Sequence, residues 1–63
     1  MKQIFAGRIA KGMTVRIPDT DTFRKVSTVK HKVAGSRPFV EVTFEETALW
    51  GMYYNTMLLD LAN

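Results

Sequence analysis

The sequence predicts an all-β fold of five short strands, on three observations. Val40, Val42 and Phe44 alternate with Glu41, Thr43 and Glu45. A two-residue period carried by β-branched and aromatic side chains marks a strand with one buried face. Further short β-like runs are separated by Gly, Pro, Asn and Asp, the punctuation of an antiparallel domain. Residues 47–62, where a helix is conceivable, would be apolar all round if coiled. A rod of that kind needs burial on every side, and a chain of 63 residues has little mass to bury it.

Taken in order, residues 3–10 hold Ile4, Phe5 and Ile9 around Gly7, a weak signal for an edge strand or a lead-in. Met13, Val15 and Ile17 then alternate with Thr14 and Arg16 until Pro18, which cannot donate to a ladder. Asp19-Thr20-Asp21-Thr22 reads as a turn, because such short polar side chains bond to their own backbone. Residues 23–33 form the longest β-like run. Val29, His31 and Val33 share a face, but Val26 is out of step with them. A bulge near Ser27-Thr28 repairs the parity and bends the strand. Residues 34–38 make a hairpin loop, and the alternating strand follows. The last segment divides into a strand over 48–54, a turn at Asn55-Thr56 and a strand over 57–61. Its competitor is an α+β fold, an antiparallel sheet with a C-terminal helix starting at Thr47. Gly51 and Asn55 inside that helix argue against it.

One domain, residues 1–63, is expected. A domain of this size buries only about 60% of its unfolded surface. With no cysteine, neither a disulfide nor a thiolate metal site can reinforce it. No stretch approaches the roughly 18 apolar residues of a membrane span, and Arg8 interrupts any signal-peptide core. The expectation is a cytoplasmic protein with no membrane contact.

Five short strands, a bent second strand and a tight turn before the last strand resemble a small Src-homology-3-like barrel, the group that includes Tudor and KOW-type modules. Lys11-Gly12-Met13-Thr14-Val15-Arg16-Ile17 is similar to its Gly-Asp-x-Val-x-Val opening strand, with Met13 where the pattern prefers an acid. The signalling subtype's Ala-Leu-Tyr-Asp-Tyr and Pro-x-x-Tyr motifs are absent, so the resemblance implies no proline-rich peptide specificity. In size the chain also resembles the small accessory proteins that bacteriophages encode.

Little in the sequence supports catalysis. His31 is the lone imidazole and sits between two lysines, and no nucleophile motif surrounds Ser27 or Ser36. Asp19-x-Asp21 lacks the glycine and distal glutamate of a calcium loop. Glu45 and Glu46 are adjacent and would point to opposite faces of a strand. The expectation is a binding module, not an enzyme, with no cofactor and no metal.

Charge carries the functional signal. Residues 1–37 hold all nine Lys and Arg and two acids, a net of +7, whereas residues 38–63 hold four acids and no Lys or Arg, a net of −4. A basic and an acidic side of one domain are expected. Arg24, Lys25, Lys30, His31, Lys32 and Arg37 form the candidate nucleic-acid-binding set, with Arg8, Lys11 and Arg16 extending it. Cations serve phosphates, and nearby rings serve base stacking. The alternative is a protein-interaction module, docking on a host protein or pairing as a homodimer. Its contacts would be Trp50, Tyr53 and Tyr54 on the apolar final segment, or an open strand edge.

Overall fold

The alternation over residues 40–45 is realised in full. In the computed structural model, which describes residues 2–62, Val40, Val42 and Phe44 are buried while Thr43 and Glu45 are exposed. The three apolar residues and Thr43 lie on β4 (Arg37–Phe44), one of six strands among the described residues, with β1 (Lys2–Phe5), β2 (Thr14–Arg16), β3 (Phe23–Ala34), β5 (Trp50–Tyr54) and β6 (Leu58–Ala62). One 3-10 turn, η1 (Ala6–Arg8), follows β1. The fold is all-β. Residues 47–62 contribute two strands, so the C-terminal helix of the competing reading is excluded.

All pairings are antiparallel, and the order across the sheet is β1-β6-β2-β3-β4-β5. The sheet has six strands rather than the expected five, because Lys2–Phe5 pairs with the end of the chain, Ile4 opposite Leu59 and Phe5 opposite Leu58. The hairpin loop is shorter than expected. Ala34 already pairs with Arg37, leaving Gly35-Ser36 as a two-residue turn. Gly35 has φ 64°, which a first turn position of this kind requires and only glycine adopts freely.

The register of β3 against β4 shifts between Val26 and Thr28, where the sequence parity breaks. Before the shift β3 pairs with β2, and after it with β4 alone. One long strand therefore serves both halves of the sheet. The halves meet over a shared core of Ala6, Ile9, Val15, Val26, Val40, Val42, Phe44 and Leu59. The largest fully buried side chains are all valines, Val15, Val26, Val40 and Val42, so the core is thin. The segment after β1 fills its open end. Ala6 N–H donates to the Met57 carbonyl at 2.8 Å and Gly7 N–H to the Asn55 carbonyl at 3.2 Å. Among the described residues no ladder joins the sheet edges β1 and β5.

Arg16 belongs to this scaffold rather than to a basic patch. Its Nε donates to Asp60 Oδ2 at 2.7 Å and its Nη1 to the Thr20 carbonyl at 2.7 Å, while Gln3 Nε2 donates to Asp60 Oδ1 at 3.2 Å. This network ties β1, β6, β2 and the turn after β2 together. Hydrogen bonds from Arg16 and then Gln3 hold the Asp60 carboxyl below its ordinary range.

Two outcomes are expected. Val42→Ala removes fully buried apolar surface and leaves a cavity, which costs about 2 kcal/mol. In a domain this small that lowers the melting temperature by about 10 °C, measurable by circular dichroism. Because the folded pKa of Asp60 is depressed, its contribution is complete above the ordinary carboxylate pKa of about 3.9 and is lost as pH falls through the lower folded value. The stability gap between wild type and Asp60→Asn, measured by urea unfolding, should therefore narrow in strong acid. A gap independent of pH would contradict the network.

Candidate functional site

The pleat sorts the side chains of β3, β4 and β5 onto two faces. Residues directly opposite in an antiparallel pair share a face. Val29, Val42 and Gly51 form a row on the core face, followed by His31, Val40 and Tyr53. The outer face carries three rows: Thr28, Thr43 and Trp50; Lys30, Glu41 and Met52; Lys32, Phe39 and Tyr54. Arg37 follows beyond the last row, opposite Ala34.

This outer face collects cations and rings from three strands. Trp50 is 65% exposed and Met52 50% exposed. Thr28, Lys30, Glu41, Val42, Thr43 and Trp50 line an open groove of about 280 Å³. Its floor is braced by a hydroxyl–hydroxyl bond between Thr28 and Thr43. The Arg37 guanidinium lies 3.8 Å from the Tyr54 ring centroid. Phe39 meets the same ring edge-on, with centroids 6.5 Å apart and planes at 78°. Tyr54 is thus held on two sides, and the Trp50 indole is the freer stacking surface.

The predicted basic set divides. Lys30, Lys32 and Arg37 share the outer face. His31 lies on the opposite face, in the row of Val40, and is exposed there because the hairpin runs past the core. Arg24 stands opposite Val15 on the core side, and its Nε is buried without a hydrogen bond. Lys25 is exposed but pairs with Thr14, on the far side of the bulge. Arg8 borders a second shallow groove with Phe5, Gly7, Asn55 and Thr56. The predicted aromatic set divides too. Trp50 and Tyr54 are on the outer face, whereas Tyr53 packs against the core, and burial raises its phenol pKa. Tyr53 lies over Gly51, where a Cβ would collide with the phenol ring and hydroxyl.

The basic and acidic halves of the chain meet in two ion pairs among the described residues. Lys32 Nζ pairs with Glu41 Oε1 at 2.9 Å, and Arg16 pairs with Asp60. Antiparallel pairing brings Glu41 of β4 directly beside the lysines of β3. Sequence reasoning missed Glu41, Met52 and the two threonines as members of the outer face. The alternation of β4 places Glu41 and Thr43 outward, but only the register with β3 and β5 aligns them with Lys30 and Trp50.

No family model matches the chain, and no curated protein or solved structure is significantly similar to it.

Replacing Arg37 with Met removes the cation over Tyr54 while retaining an apolar stem. The expected loss of stability is about 0.5–1 kcal/mol, the worth of an exposed cation–π contact. Tyr54 ring resonances should shift in NMR spectra and those of the Trp50 indole should not.

Proposed function

We propose that the protein is a non-enzymatic binding module that takes single-stranded nucleic acid on the outer face of β3, β4 and β5. The observation that carries this reading is the alignment of Lys30 and Lys32 with Trp50, Phe39 and Tyr54 in three successive rows of one sheet face, with Arg37 just beyond the last row. Rows on one face of a strand repeat about every 6.8 Å. A flexible strand of nucleotides can follow that spacing, with bases against rings and phosphates against cations. The groove that places Lys30 beside Trp50 offers one such nucleotide position. Ring stacking is tolerant of base identity, so the reading is of weak sequence preference. The order β6-β2-β3-β4-β5 is compatible with a Src-homology-3-like barrel, and we extend the proposal to that fold, to a cytoplasmic setting and to a bacteriophage accessory role.

One observation favours a second reading. Met52 stands exposed between Trp50 and Tyr54, and an adaptable thioether among rings suits a protein partner. On that reading the face docks a host protein.

Fluorescence anisotropy with labelled single-stranded DNA and RNA separates the two. Trp50→Ala should weaken binding by about 1–3 kcal/mol, roughly 5- to 150-fold. Three phosphate-facing cations predict a slope of about −2 for log affinity against log salt on a single strand. Joint charge reversal at Lys30 and Lys32 should abolish binding, and reversal at Lys25 should have a small effect. Affinity indifferent to salt, or no binding to either nucleic acid, would reject the proposal and leave the protein-partner reading.

A further inference from the structure

We infer that β5 is a self-pairing edge, and that two copies of the chain join β5 to β5 in antiparallel register about a two-fold axis midway between their Met52 residues. The inference does not rest on nucleic-acid binding.

β5 ends the sheet on one side. Its hydrogen-bonding direction follows from one contact beyond the strand. Asn55 N–H donates to the Pro38 carbonyl at 3.0 Å, in the same register that pairs Tyr54 with Phe39 and Tyr53 with Val40. Backbone groups in an antiparallel pair point alternately toward and away from the partner. Gly51 and Tyr53 therefore bond to β4, while Trp50, Met52 and Tyr54 turn their N–H and C=O groups outward. The Tyr54 carbonyl accepts from Met57 N–H at 2.9 Å. Among the described residues no other backbone bond engages these outward groups.

Edges of this kind are ordinarily protected by a charge, a proline or a bulge. Trp50-Gly51-Met52-Tyr53-Tyr54 contains no charge and no proline, and its register with β4 is unbroken. β1, at the opposite edge, begins with Lys2.

A second copy is the occupant that fits. Centring the two-fold axis on Met52 opposes Met52 to its own counterpart and Trp50 to Tyr54 of the second copy. That register sets all three outward residues opposite outward residues of the second copy, with the Tyr54 carbonyl shared between Met57 N–H and the incoming strand. A shift by one residue in either strand sets outward groups against inward ones. The neutral strand meets another neutral strand, so no ion is buried unpaired. The lysines of β3 stand two strands back from the junction, about 10 Å away. Trp50 and Tyr54 meet as a cross-strand aromatic pair on each side of the axis, a stabilising arrangement. Five residues a side make a contact well below about 1,000 Å², so the association is weak and concentration-dependent.

Sedimentation equilibrium without nucleic acid, up to about 1 mM protein, reads an association in this range. Met52→Pro removes an outward N–H and leaves the ladder to β4 intact. Met52→Cys places two thiols on Cα atoms about 5.5 Å apart, within disulfide range, in a chain with no other cysteine. The expected results are a dimer that forms with rising concentration, a dissociation constant raised about tenfold or more by Met52→Pro, and oxidative cross-linking of Met52→Cys well ahead of the control Val33→Cys at the exposed hairpin tip. A monomer throughout, a dimer that Met52→Pro leaves unchanged, or equal cross-linking of the two cysteine variants would overturn the inference. Should Met52→Pro fail to fold, the cysteine pair decides alone.

Discussion

The register shift between Val26 and Thr28 is the constraint on which the arrangement of the molecule depends. Side chains on a strand alternate strictly, so an unbroken β3 with Val26 inside would also put Thr28, Lys30 and Lys32 inside. That parity would also turn Val29 outward and lose its packing against the core. The inserted residue exchanges the parity. Val29 then packs against the core, the two lysines turn outward, and the strand bends enough to leave one half of the sheet and enter the other. Core formation and the composition of the outer face are thus two results of one irregularity.

The distribution of large side chains follows from the same economy of space. Four valines are the largest fully buried side chains, while Trp50, with the largest side chain available, stays 65% exposed. Exposure of a single apolar residue is ordinary. Here Trp50, Met52 and Tyr54 are exposed on successive outward positions of one strand, with Phe39 beside Tyr54, which makes the contiguous patch that the proposed function uses. Gly51 has a role in this. With no Cβ it lets Tyr53 fold along the strand on the core side, so the neighbouring rings can remain outside.

Much of the fold was legible from local pattern. The alternation of Val40, Val42 and Phe44 located β4, the parity break at Val26 located the bulge, and the all-round apolarity of residues 47–62 argued for two strands. Each signal lies within one segment. What escaped depends on residues far apart. β1 has four residues and no distinct period, and its existence rests on pairing with β6 at the other end of the chain. The Arg16–Asp60 pair spans 44 positions, and nothing near either residue announces it. The candidate site was legible in part for a similar reason. Lys30 and Lys32 follow from parity, and so should the separation of His31, since its face is shared with Val29 and Val33. Grouping His31 with the lysines followed sequence proximity instead of the pleat. That Trp50 and Tyr54 join the lysines while Tyr53 does not was fixed by the register of β5 on β4.

The β3–β4 hairpin runs well past the core, and residues 30–38 are all exposed, Val33 to 66%. Its ladder is held there by main-chain bonds with little apolar packing beneath. Segments of that kind open locally at a small fraction of the global unfolding free energy, so amide protons around Val33 exchange with solvent long before those of Val42. The end of the outer face that carries Lys32 and Arg37 is therefore a compliant flap, whereas the end that carries Trp50 adjoins Val42 and the core. On the proposed function, a ligand laid along this face would meet a firm anchor at one end and an adjustable grip at the other.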